Sequence, residues 1–258
     1  MKNCKELKIE RALLKARLDA LASEKNTEEG LKEFADPLQV AKKFNDPYVA
    51  LMCALFSYGS AKNIMTFLQS LDFTLIDKEE KEIIEGVKEL KYRFQTSEDI
   101  KQIFITFSRL KKKKNLEELF TSPYKKSGNI TDGILNCIKE IDKINTYTSK
   151  GYTHFFGKVW EKEPSSPLKR YNLFLRWMVR KDALDLGLWS EISPQDLLIP
   201  LDTHTQKMAL KLGLLKRQSY DFKAVLELTK SLKEFDIKDP IKYDFALYRL
   251  GQGGASGA

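Results

Sequence analysis

Residues 201–215 read LDTHTQKMALKLGLL. Asp202 follows Pro200-Leu201 and precedes a run in which Met208, Ala209 and Leu212 share one helical face, closed by Gly213. This is the grammar of an N-capped helix that ends at a left-handed glycine. The stretch leaves two readings of Asp202 open. It is the cap of a short helix, or it is also a catalytic carboxylate displayed at the helix entrance.

The helical period recurs on both sides. Upstream, EKEPSSPLKRYNLFLRWMVRKD (161–182) places Ser166 as N-cap and Pro167 at the first helical position, with Leu168, Tyr171, Leu175 and Met178 as a buried stripe and Lys169 in the first turn. Downstream, DPIKYDFALYRLGQ opens at Asp239-Pro240 and closes near Gly251, with Ile241, Phe245, Leu247, Tyr248 and Leu250 facing the core. Leu7, Leu14, Leu18 and Leu21 predict a helix over 5–24. The segment 48–71 is strongly apolar and turns polar at Gly59-Ser60, as a buried helix that meets solvent or a ligand midway would. Residues 78–95, 97–111 and 128–146 read as three more helices. Extended alternation of the β type is absent and no repeat of fixed period emerges, so the fold class is all-α. The run Lys111–Lys114 is either a solvated helix end or a phosphate-contact patch.

The chain has 258 residues, 42% hydrophobic and 31% charged, enough for a sizeable core. Lys plus Arg number 44 against 36 Asp plus Glu, a formal charge of +8, so an anionic partner is expected and nucleic acid leads. The three cysteines, Cys4, Cys53 and Cys137, have no CxxC spacing, which argues against disulfides, zinc and iron–sulfur clusters. The histidines are His154 and His204 alone, too few for a Ser-His-Asp triad or a His-rich metal site. No metal and no cofactor are expected. The charged N-terminus is neither a signal peptide nor a membrane span, and no later stretch is apolar enough to cross a bilayer, so the expectation is a cytoplasmic protein with no membrane partner. The last residues, GQGGASGA (251–258), read as a flexible tail.

The segment LDTHTQKMALKLGL resembles the aspartate segment of the helix-hairpin-helix DNA glycosylases, the superfamily of endonuclease III and the 8-oxoguanine glycosylases, with Asp202 at the catalytic aspartate. KRYNLFL resembles the helix start that carries the nucleophilic lysine of bifunctional members, with Lys169, Asn172 and Leu175 in matching places. YVALMCALFSYGSAKNIMTFL looks like the early helix of that superfamily, whose polar end, here Tyr58 and Ser60, approaches DNA. Over nearly its full length the chain resembles the bacterial family labelled DUF2400, through ADPLQVAKKF, FLRWMVR, LIPLDTH and KYDFALYRLG. There are departures from the glycosylase pattern. EPSSPL stands where a Gly-x-Gly hairpin usually lets backbone amides approach a phosphate, and the interval from Lys169 to Asp202 is wider than in endonuclease III.

The glycosylase resemblance implies two helical lobes, about 48–168 and about 1–47 plus 169–250, with Lys169 and Asp202 in the cleft between them. It implies a monomer acting on damaged duplex DNA, releasing a damaged base, an oxidised purine such as 8-oxoguanine, and then cutting the strand as an AP lyase. Asp202 would stabilise positive charge on the sugar, and Lys169 would form the Schiff base. The positive end of the helix dipole, Arg170 beside it, and the apolar Leu168 and Tyr171 all favour the neutral amine that such an attack needs. Arg170, Asn172 and His204 would contact substrate or DNA. Tyr58, Trp177 and Trp189 are either core or walls of a pocket for a flipped base. The alternative is a non-catalytic helical nucleic-acid-binding protein on the same scaffold.

Overall fold

The computed structural model describes residues 4–87 and 89–253. It is all-α, and among the described residues the one extended pairing is an isolated antiparallel bridge, Tyr92 with Gln95. The chain divides into two compact units, Met1–Phe34 with Pro164–Gly187 and Ser193–Ala258, and Ala35–Glu163 with Leu188–Ile192. The first holds α1 (Cys4–Lys25), α2 (Glu28–Lys32), and later α11 (Lys169–Val179), α12 (Thr203–Lys211), α13 (Phe222–Lys233) and α14 (Asp244–Gly253). The second holds α3 (Leu38–Phe44), α4 (Pro47–Leu55), α5 (Ala61–Ser70), α6 (Glu80–Gly86), α7 (Ser97–Lys113), α8 (Leu116–Ser127), α9 (Ile130–Ile144) and α10 (Lys150–Phe156). The last three residues of α14 belong to the stretch expected to be a tail. Residues 254–258 of that stretch lie outside the described residues.

Local chemistry accounts for most of the helix starts. Asp46 accepts from the amides of Tyr48 and Val49 ahead of Pro47, and Thr96 and Asp99 cap each other at the head of α7. Asn115, Asn129 and Ser149 do the same service for α8, α9 and α10. In α4 every residue from Val49 to Leu55 is buried, so the segment shows a continuous apolar run in place of a period. It ends at Leu55, and α5 begins after Ser60, so the break expected at Gly59-Ser60 is a true helix–helix junction.

One expectation is corrected here, and one helix is added that the sequence did not announce. The helix over 78–95 is confined to α6, because a helical Gly86 is intrinsically weak and Tyr92 is drawn into the core, where its hydroxyl donates to the Tyr58 carbonyl at 2.7 Å. The helix α8 went unread in the sequence because it carries Pro123 in its interior. The proline removes the amide that would bond the Leu119 carbonyl, and the Asn136 side chain of α9 donates to that carbonyl at 2.9 Å instead. Three of the four lysines in the run at the end of α7 are ion-paired. Lys111 pairs with Asp46 and Asp77, Lys112 with Glu79 and Lys114 with Glu140. No helix among the described residues is long and apolar enough to cross a membrane.

Candidate active site around Asp202 and Lys169

Asp202 caps α12. Its backbone is extended (φ −118°, ψ 179°), its Oδ1 accepts from the Thr205 amide at 2.8 Å, and its carbonyl accepts from the Gln206 amide at 2.8 Å. The side chain is half-buried, and its second oxygen, Oδ2, makes no hydrogen bond among the described residues. Tyr220 lies close by, donating to the Leu201 carbonyl at 2.8 Å. Burial pushes its phenol up to about 12, and the charge of Asp202 adds to that push. Thr205 is buried with its hydroxyl unpartnered.

Lys169 is the first residue of α11 and is half-buried, as is Arg170. The expected start of this helix at Ser166-Pro167 is displaced. Leu168 adopts the left-handed conformation (φ 52°, ψ 29°), which no helix continues through, and α11 begins after it. The turn is clasped from inside by Asn172, whose Nδ2 donates to the Pro167 carbonyl at 3.1 Å while its backbone amide bonds the Leu168 carbonyl at 3.0 Å. A left-handed leucine therefore occupies the ground where a glycine hairpin was sought. Asn172 itself is buried, and its Oδ1 has no partner.

The feature that sequence reading missed lies further along α11. Arg176 and Arg180, both buried, meet four aspartates. Arg176 Nη1 donates to Asp244 at 2.7 Å and its Nε to Asp185 at 3.2 Å, while Arg180 bonds Asp239 at 2.9 and 3.0 Å, Asp182 at 2.9 Å, and Asp185. Burial lifts the Asp244 carboxyl to about 6 against the pull of Arg176, and the charges of Asp202 and Asp185 push the same way. Burial also raises Asp185. The signal was present in the sequence, since two arginines four apart in the apolar run NLFLRWMVR are tolerated inside a fold only if carboxylates meet them.

This network joins α11, which begins at Lys169, to α14, on which α12 packs. Asp244 opens α14 and pins α11 through Arg176, and α14 packs on α12. The exposed His204, in the first turn of α12, sets its ring edge-on to Tyr248 at 5.9 Å, and Gly251 lies against the His204 backbone so closely that a Cβ there would sit 2.9 Å from its carbonyl oxygen. Lys169, Arg170, Asn172, Asp202 and His204 all belong to the first unit. Tyr58, Ser60 and Trp189 belong to the second, where Trp189 is buried against Phe120 at 5.5 Å and the exposed Ser60 caps α5.

The model of the family described as a protein of unknown function, DUF2400, matches residues 36–253. The chain belongs to the DUF2400 family. Comparison with curated proteins and with solved structures gives no match. In this DUF2400 chain the matched region takes in Lys169, Asp202 and the whole of the Arg176–Arg180 network.

Proposed function

We propose that the protein is a DNA glycosylase with an associated AP lyase step, acting on an oxidised purine such as 8-oxoguanine in duplex DNA. The observation that carries the reading is the state of Asp202. One carboxylate oxygen is committed to the helix cap, the other makes no hydrogen bond, and the group sits half-buried on a helix docked to α14, which also anchors the helix that begins at Lys169.

Cleavage of an N-glycosidic bond builds positive charge on the deoxyribose. A carboxylate held beside the sugar by its own helix cap stabilises that charge without reorganising. The Lys169 amine forms a bond to the anomeric carbon, the base departs with the electron pair of the glycosidic bond and takes up a proton, and the sugar ring opens to a protonated imine. Loss of a proton from the adjacent sugar carbon then expels the 3′ phosphate. The buried Arg176–Asp244 pair supplies a rigid base for both helix starts, as a catalytic constellation needs.

A panel of duplexes, each with one damaged base, tests the reading by release of the free base. Release that is lost in Lys169→Gln supports it. Absence of release from every lesion by folded protein refutes it. One observation favours the alternative, a non-catalytic nucleic-acid-binding protein. The turn before Lys169 is built from Pro167 and Leu168, and the proline offers no amide to a phosphate. That reading predicts salt-sensitive binding without base release.

A further inference from the structure

Three segments of the second unit, distant in sequence, meet at the surface around Tyr58. The turn Tyr92–Gln95 is closed by both of its backbone hydrogen bonds, at 3.1 and 2.9 Å, and holds Arg93 in the left-handed region (φ 52°), which disfavours residues other than glycine, asparagine and aspartate. The turn is fixed from beneath. Tyr92 donates to the Tyr58 carbonyl, Tyr58 donates to the Gln95 side chain, and Gln95 donates to the Gly151 carbonyl at 2.8 Å.

This anchoring aims Phe94 outward, leaving it 56% exposed. The Tyr58 ring runs nearly parallel to that of Phe94 at 6.2 Å, and the exposed His154 sets its ring edge-on to Tyr58 at 4.9 Å and to Phe94 at 4.7 Å. The Arg93 guanidinium lies 5.9 Å from the Tyr58 ring centre and 5.5 Å from that of Phe94. It runs along Gly59, where φ is 114° and a Cβ would come within 3.1 Å of Arg93 Nη1, so only glycine suits the position. A strained turn that holds a large apolar ring in water is what a preformed contact surface looks like.

The three segments that build the cluster are rich in cations, with Glu89 the acid beside Lys91. Segments 58–63, 91–95 and 150–158 contain Lys62, Lys91, Arg93, Lys150 and Lys158, all exposed, and no aspartate or glutamate. An exposed ring flanked by a guanidinium, on segments rich in lysine, matches a flat aromatic group carried on an anionic chain. We propose that the Tyr58–Arg93–Phe94–His154 cluster is a stacking platform for an unpaired base of a nucleic-acid strand, with the surrounding lysines holding its phosphates. The base stacks on Phe94, and because the turn is already fixed, binding orders little of the protein. The inference shares with the proposed glycosylase its nucleic-acid partner and Tyr58, and uses neither Lys169 nor Asp202.

The test is fluorescence anisotropy of the full chain with labelled oligothymidylate and with a fully paired duplex of the same length. Wild type binds oligothymidylate, and salt weakens the binding. Phe94→Ala and Phe94→Leu weaken it at least about fivefold while Phe94→Trp retains it, and the duplex is affected less. Lys91→Gln makes the salt dependence shallower and leaves the Phe94 effect in place. The proposal is overturned by absence of oligothymidylate binding at low salt, by wild-type affinity in a folded Phe94→Ala protein, or by equal losses on single strand and duplex. The first of these outcomes would leave a protein partner for the rings. Oligothymidylate carries no lesion, so the effect of Phe94 substitutions on its binding reads the platform, and base release reads Lys169 and Asp202. Either idea can fail while the other stands.

Discussion

Replacing Asp202 separates the cap from the chemistry. Its Oδ1 accepts the Thr205 amide at 2.8 Å at the head of a helix of 9 residues, and Thr205 is buried. Asparagine offers an acceptor of the same shape and ranks with aspartate as an N-cap, so Asp202→Asn keeps the hydrogen bond and removes only the charge. Asp202→Ala removes both and leaves a buried amide without its acceptor. That loss is worth about 1 kcal/mol, within a range of about 0.5–2 kcal/mol, or roughly 2–4 °C in Tm for a chain of this size. On base release the two variants lose the same carboxylate, and a preorganised group aimed at developing charge contributes roughly a hundred- to a thousandfold in rate. The assay pairs thermal unfolding with single-turnover release of an oxidised purine. Asp202→Asn melts near wild type and is slowed at least about a hundredfold, whereas Asp202→Ala shows both losses. Wild-type release by Asp202→Asn would make Asp202 a cap and nothing more. A Tm loss in Asp202→Asn equal to that in Asp202→Ala would refute the account of the cap.

Other consequences follow from the same unit. Arg176→Met strands Asp244 in the interior, while Asp185 keeps Arg180, and its cost in a denaturant titration is about 3 kcal/mol or more. Asp244→Asn costs less, since Arg176 keeps Asp185. The pH dependence has a definite sign. Asp244 titrates at about 6 in the fold against an ordinary 3.8, so the folded chain holds this proton more tightly, and the stability it contributes is full below about pH 4 and lost as pH rises through about 6. The stability of wild type relative to Asp244→Asn therefore falls across that window, and a flat difference in paired pH titrations would contradict the placement of Asp244. Gly251→Ala forces a Cβ to within 2.9 Å of the His204 carbonyl, and thermal unfolding should show a loss of about 1–3 kcal/mol as α14 moves off α12.

Much of the helical architecture was written locally. Asp202 and Gly213 bracket α12, Asp46-Pro47 opens α4, and Ser60 opens α5 after the polar break, because caps and prolines act over three or four residues and need no tertiary partner. What stayed hidden depended on distant groups. Pro123 sits inside α8 because Asn136 of another helix takes the carbonyl it frees, and Ser166-Pro167 failed as a helix start because Leu168 turns left-handed under the clasp of Asn172. The lysines at 111–114 left a solvated helix end and a phosphate-contact patch both open, because the acids that pair Lys111, Lys112 and Lys114 come from positions 46, 77, 79 and 140. At the candidate site local pattern gave Asp202 as a helix cap and Lys169 as a first-turn residue, and the glycosylase resemblance alone singled them out for chemistry. The buried Arg176–Asp244 pair and the part-buried Arg180–Asp239 pair join segments some sixty residues apart, and Phe94 is aimed outward by a turn whose anchors lie at Tyr58 and Gly151. No local period announces either.

The central claim is most directly tested by borohydride trapping on duplexes carrying single oxidised purines, with the adduct mapped by mass spectrometry. The account predicts a covalent adduct on Lys169 that forms on a damaged base and disappears in Lys169→Gln. An adduct on any other amine, or none from folded protein that binds the same duplexes, would contradict it.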